Sequence, residues 1–140
     1  MKGRLTRKQA ELILNGTEAK WEQYVLQRRH RVPHLEPYIA QIPMAAYWYA
    51  LDVIKGRWPE GERAIRQQAW AAYAYARNII RGQWPEGEPI IMQNPWLAYK
   101  YSRFVICRRW PEAEKVIQQD PTAWIRYTER YPEVIGQGRK

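Results

Sequence analysis

The chain has 140 residues and contains one cysteine, one phenylalanine, two histidines and a single serine. One cysteine excludes an intrachain disulfide and suits a reducing compartment. The two histidines, His30 and His34, are separated by Pro33, which breaks the continuous helix that would aim both at one metal ion. Ser102 stands in a column otherwise filled by alanine, so it reads as a core residue and not as a nucleophile. Glutamates recur, but with no histidine beside them and no unusual carboxylate pair, and no glycine-rich phosphate loop is present. The expectation is a protein that is not an enzyme and carries neither cofactor nor metal. No segment approaches the roughly 20 apolar residues of a membrane helix. The N-terminal MKGRLTRKQAELIL is interrupted by Glu11 and does not read as a secretory signal, so a cytoplasmic protein is expected.

Acidic charge is also in short supply: 14 Asp and Glu face 23 Lys and Arg, for a formal net charge of +9. That balance favours an acidic partner, whether nucleic acid, an acidic protein face or an anionic surface, and does not choose among them. The scarcity of phenylalanine is set against eight Trp and ten Tyr. A core built from aromatics with polar ends predicts many internal side-chain hydrogen bonds.

The stretch Gly56-Arg57-Trp58-Pro59-Glu60-Gly61-Glu62 returns as Gly82-Gln83-Trp84-Pro85-Glu86-Gly87-Glu88 and again as Arg108-Arg109-Trp110-Pro111-Glu112-Ala113-Glu114, 26 residues apart each time. A fixed period of this length marks a stacked-repeat architecture. The recurring stretch reads as a joint between helices. Gly56 and Gly82 follow the apolar ends of two helices, where glycine supplies a left-handed terminator. Pro59, Pro85 and Pro111 then suit the first position of the next helix, and the glutamates that follow complement its dipole. Trp58, Trp84 and Trp110 are either packing pegs whose indole N–H finds a carbonyl, or a row of ligand-binding rings. Arg28, Arg29, Arg31, Lys55, Arg57, Arg81, Arg108 and Arg109 cluster at the joints, where cations at helix ends contribute roughly 0.3–1 kcal/mol each. Cys107 shares the column of Lys55 and Arg81 and reads as incidental.

The expected fold is therefore all-α, a single α-solenoid domain of about four and a half helix-turn-helix repeats over residues 1–140. Residues 1–16 form an N-terminal half-repeat, with a Thr6–Gln9 capping box; 17–42, 43–68, 69–94 and 95–120 are repeats; 121–140 is a shortened unit with a basic tail. In the degenerate first repeat Val32-Pro33 takes the place of Trp58-Pro59. Each repeat has a long helix and a short one. In the long helices Ala46, Tyr49, Ala50 and Val53 share a face at 100° per residue, with Tyr47 and Ile54 on its flank. Asp120-Pro121 reads as an N-cap opening the last long helix.

Columns that change between repeats are where binding is sought. The column of Trp48 continues as Ala74, Lys100 and Arg126; that of Leu51 as Arg77, Arg103 and Glu129; that of Asp52 as Asn78, Phe104 and Arg130; and that of Met44 as Trp70, Trp96 and Thr122. These positions lie on one helical face. Trp48, Trp70, Arg77, Trp96, Lys100, Arg103 and Arg126 are the candidate partner-binding residues. A basic row interleaved with aromatics suits a protein interface or phosphate binding with base stacking; a merely solvated charged face is the plainer alternative.

The segments AYWYALDVIKGRWPEGE, AYAYARNIIRGQWPEGE and AYKYSRFVICRRWPEAE resemble the short tandem "YA..VI.GRWPEAE" repeats of uncharacterised proteins from tailed phages and their bacterial hosts. The likeness covers about residues 43 to 117. It implies a phage origin and no particular activity. What it suggests is binding to a host or virion protein, with nucleic acid as the alternative partner.

Overall fold

The structure, a computed structural model, describes residues 30–33 and 35–136. The half-repeat 1–16, most of the unit 17–42, His34 and the tail from 137 onward lie outside the described residues. Among the described residues every regular element is helical and none is a strand. The fold is all-α with a helical-repeat arrangement, as the period implies. It divides into two compact units, Met1–Gln67 and Gln68–Lys140, each taken by itself.

The first unit contains α1 (Glu36–Ile39), α2 (Pro43–Tyr49), which widens into a π-turn over Ala50–Ile54, and α3 (Pro59–Ile65). The second begins with α4 (Ala69–Tyr75) and its π-turn Ala76–Ile80, then a 3-10 turn Pro85–Gly87 leading into α5 (Glu88–Ile91). It continues with α6 (Pro95–Phe104), a 3-10 turn Pro111–Ala113 leading into α7 (Glu114–Ile117), α8 (Pro121–Arg130) and α9 (Glu133–Gly136). In this unit α4 packs on α6 and α6 on α8, with α5 and α7 wedged against the long helices on either side.

Local chemistry explains where the long helices start. Proline occupies the first turn of α2, α6 and α8, where its missing N–H costs no hydrogen bond. Two of these starts are also capped by side chains: Asn94 Oδ1 accepts from the Leu97 N–H at 3.0 Å and Asp120 Oδ1 from the Ala123 N–H at 3.1 Å. The expected cap at Asp120 is therefore present. The core faces agree with the periodicity: Ala46, Tyr49 and Ala50 are fully buried, as are Ala72, Tyr75 and Ala76, and Ala98, Tyr101 and Ser102. The Ser102 hydroxyl donates to the Tyr99 carbonyl at 2.7 Å, which satisfies the one buried polar side chain of that column. Alanine in the first column lets neighbouring helices approach closely. In α8 that column holds Trp124, half-buried and stacked on Tyr127 with ring centroids 5.6 Å apart, so α8 offers no flat alanine seam.

The joints differ from the expectation in one respect. The left-handed residue is not the glycine but the residue before it: Lys55, Arg81 and Cys107 have φ of 59°, 60° and 55°. In the first two joints the final helical turn winds out to π spacing, so the Lys55 N–H donates to the Ala50 carbonyl at 2.8 Å and the Arg81 N–H to that of Ala76 at 2.8 Å. The Gly56 and Gly82 N–H groups reach the same two carbonyls at 3.3 Å, and the residue before each glycine is the one that turns left-handed. Gly56 and Gly82 come next, and a Cβ at either would meet nothing within 4 Å. Arg108 fills the same place in the third joint at no steric cost. The second glycine of each joint has a different reason. A Cβ at Gly87 would lie 2.4 Å from the Trp84 ring, and one at Gly61 2.6 Å from that of Trp58. In the third joint Ala113 takes this place, and the backbone at Trp110 is turned slightly, with ψ of 77° against 85° at Trp84.

Candidate functional site

Two sets of residues recur along the chain, and they have different fates. The first is the joint. Trp58, Trp84 and Trp110 are 2 %, 1 % and 3 % exposed, which removes them from any ligand-binding row. Each packs on the tyrosine of the long helix before it, with Tyr49–Trp58, Tyr75–Trp84 and Tyr101–Trp110 centroids 4.7–4.9 Å apart. The expectation that every indole N–H finds a carbonyl fails at Trp84, whose buried Nε1 has no hydrogen-bond partner. The tryptophan is retained for its packing volume.

The joint also contains a polar clamp that the periodicity did not reveal. The Tyr101 hydroxyl donates to Glu88 Oε2 at 2.6 Å and accepts from the Trp84 N–H at 2.9 Å. Tyr127 does the same with Glu114 and Trp110, at 2.6 and 3.0 Å. In the degenerate joint Tyr49 serves Glu36 and Val32, at 2.6 and 2.8 Å, which establishes Val32-Pro33 as a true equivalent of Trp-Pro. The carboxylate is gripped from its other side by Arg31 through two bonds of 2.8 and 2.9 Å, by Arg109 through Nε and Nη2 at 3.0–3.1 Å, or by Gln83 at 3.1 Å. Arg57 holds Glu62 in the same bidentate way at 3.0 Å. The second glutamate of each joint is thus more than a dipole partner. The missed signal was the constant offset from the joint residue, four positions to the glutamate and seventeen to the tyrosine.

These contacts shift the groups involved. Glu36 is held below the usual carboxylate range, chiefly by its hydrogen bonds from Arg31. The phenols of Tyr49, Tyr101 and Tyr127 are pushed well above their usual value, first by burial and then by the carboxylate each one faces. A raised phenol contributes stability that is complete below the unfolded value near pH 10 and is lost as pH climbs toward the folded value. The melting temperature is therefore expected to hold level up to about pH 9 and to fall above about pH 10. Tyrosinate absorbance followed through the same titration should show one class of phenols ionising only as the protein unfolds. Complete ionisation of all tyrosines in the folded protein would refute the clamp.

The second set is the variable face, and here the structure separates the candidates. Trp48, in α2 of the first unit, is half-buried with its ring edge-on to Tyr47 at 5.1 Å. Ala74, the next member of its column, is buried, so this face is not wholly outside the core. On α4 and α6, Trp70 and Trp96 are 43 % and 37 % exposed. Seven residues further on come Arg77, in the π-turn that extends α4, and Arg103, near the end of α6, each about two turns from its tryptophan.

Arg77, Lys100 and Arg103 are brought together around two rings. The Arg77 guanidinium lies 4.7 Å from the Phe104 centroid and donates to the Tyr73 hydroxyl at 3.1 Å; Arg103 lies 5.3 Å from the same Phe104 ring; Lys100 Nζ is 5.6 Å from the Tyr73 ring. All are within the range of cation–π attraction. Lys100 reaches from α6 to α4 and Arg77 from α4 to α6, so the two helices share one patch. No carboxylate among the described residues pairs with any of the three cations. Arg126, on α8, is not part of the group: it faces Glu129 at 3.8 Å. Phe104 and Tyr73 are the members that the sequence did not single out, although Phe104 is the only phenylalanine in the chain and lies 41 % exposed.

Among the described residues no cluster of three His, Cys, Asp or Glu is placed to hold a metal, and no helix is long and apolar enough to cross a membrane. No family model, no curated protein and no solved structure matches this chain.

Proposed function

We propose that the protein is a non-catalytic binding module that engages a protein partner through the exposed face of α4 and α6. The observation that carries this reading is the pairing of two solvent-facing indoles with three cations that have no carboxylate of their own. Tryptophan and arginine dominate the energetics of protein interfaces, and the ring contacts that hold these three cations leave their positive charge unneutralised and available to a partner. Trp48 and Arg126 are the outlying members of the same columns. The cytoplasm fits this role, and the resemblance of the repeats to those of phage proteins makes a host or virion component the partner of choice. Nucleic acid is the second reading, favoured by the same cations.

The test compares wild-type protein with a Trp70→Ser/Trp96→Ser variant and with an Arg77→Glu/Arg103→Glu/Arg126→Glu variant, each used as bait with nuclease-treated lysate at low and high salt. A discrete protein retained by the wild type through nuclease and salt, and lost from both folded variants, is the expected result. Capture that is indifferent to both variants would refute the assignment of the face, and loss on nuclease treatment would favour the nucleic-acid reading.

A further inference from the structure

We infer that the segment bound on this face is an extended acidic polypeptide in which a carboxylate lies about three residues from a large apolar side chain. The inference rests on the binding reading above and specifies its ligand.

Charge complementarity provides the first argument. Arg77 and Arg103 flank one phenyl ring at 4.7 and 5.3 Å, so their guanidinium carbons are at most about 10 Å apart. Lys100 sits over Tyr73, whose hydroxyl accepts from Arg77. Three like charges in so small a space repel one another, and a single anionic group within reach of their N–H groups relieves that repulsion. Phe104 and Tyr73 act as positioning residues: their π faces and the phenol oxygen hold the cations without neutralising them.

The extent of the patch distinguishes among anions. A polynucleotide needs a basic groove that follows its backbone over several nucleotides. Here the Leu51 column turns basic only at Arg77 and Arg103 and becomes acidic at Glu129, beside Arg126. Arg130, on α8, lies over its own neighbour Tyr131 at 5.3 Å and outside the group around Phe104 and Tyr73, so the clustered positive charge is two repeats wide, which suits a short side-chain cluster better than a polyphosphate track.

The spacing supplies the last element. Trp96 precedes Arg103 by seven residues of α-helix, which is about 10 Å at 1.5 Å per residue, and Trp70 precedes Arg77 by the same count, its last two residues in the π-turn. An extended chain covers that distance in about three residues at 3.3 Å each. An apolar side chain seated on the indoles therefore places a carboxylate three positions away against the cations.

The experiment uses the full-length protein and synthetic capped twelve-residue peptides carrying a Leu-x-x-Glu element. Binding is read by tryptophan fluorescence and calorimetry at two salt concentrations, beside a thymidine oligonucleotide of equal charge. The Leu-x-x-Glu peptide is expected to bind. Its Glu→Gln version should bind at least tenfold more weakly, as should the wild-type peptide to an Arg77→Gln/Arg103→Gln protein of unchanged melting temperature. A scrambled peptide of the same composition should lose several-fold. Should that variant fail to fold, Lys100→Gln, which removes one charge from α6, should still weaken the peptide measurably. The inference is overturned if the oligonucleotide binds more tightly than the peptide, if the scramble binds equally well, or if no peptide binds up to about 1 mM. In the last case a partner still captured through the same face would leave the binding reading standing without its acidic ligand.

Discussion

Replacing Trp84 by alanine is expected to lower the stability of the second unit by about 3–5 kcal/mol, the cost of deleting a large side chain from a packed core. The ring is 1 % exposed, lies on Tyr75 at 4.9 Å, and occupies space that a Cβ at Gly87 would enter at 2.4 Å. Since the indole nitrogen has no hydrogen-bond partner, nearly all of that cost is packing. Trp84→Phe should accordingly lose far less than Trp84→Ala, with no added penalty for the missing N–H. Urea unfolding followed by circular dichroism gives both values. Trp70→Ala, at a ring 43 % exposed, serves as the comparison and should lose clearly less than Trp84→Ala. A Trp84→Ala protein with an unaltered midpoint would show that the joint is not held by its tryptophan.

The second large effect is expected from Tyr101→Phe, at about 2–3 kcal/mol. The change deletes one oxygen and no ring, so packing is preserved. What is lost is a hydroxyl that donates to Glu88 at 2.6 Å and accepts from the Trp84 N–H at 2.9 Å. The buried amide is left without an acceptor, which costs about 1–3 kcal/mol, and a charge-assisted bond disappears with it. A double-mutant cycle with Glu88→Gln separates the two contributions. Gln can still accept from the phenol, so the single Glu88→Gln change should be milder than Tyr101→Phe, and the two should couple. The alkaline loss of stability should also shrink in Tyr101→Phe, because one raised phenol is gone. Strict additivity in the cycle would mean that the hydroxyl and the carboxylate act independently.

Much of this architecture could be read from spacing alone. The 26-residue period located Trp58, Trp84 and Trp110 at equivalent joints, the alanine and tyrosine columns defined the buried faces, and Asp120-Pro121 marked a helix start. Three features could not be read that way, for physical reasons. The terminating residue is Lys55 or Arg81 and not the glycine that follows it, at the end of a last turn that widens to π spacing, a choice that hydrophobic periodicity does not record. The clamp was hidden because Glu88 and Tyr101 belong to different repeats as divided at residue 94, and only stacking reveals that they meet. On the variable face, the columns named the cations but not their supports: Tyr73 reads as a core flank, and Phe104 as an isolated oddity. Arg126, grouped with them by column, is tied to Glu129, a relation that its i,i+3 spacing does disclose.

The clamp has a consequence for the gene as well as for the fold. Its partners are 13 and 17 residues apart, both distances shorter than one period. A duplicated or deleted block of 26 codons therefore carries whole fastenings with it, and the seam it creates is another joint of the same kind. Insertions of another length between the joint residue and its tyrosine, as from Trp84 to Tyr101, put a carboxylate opposite the wrong side chain. The reading frame of this protein thus has a natural unit of edit larger than the codon, in which its length can change by recombination while each fastening is remade.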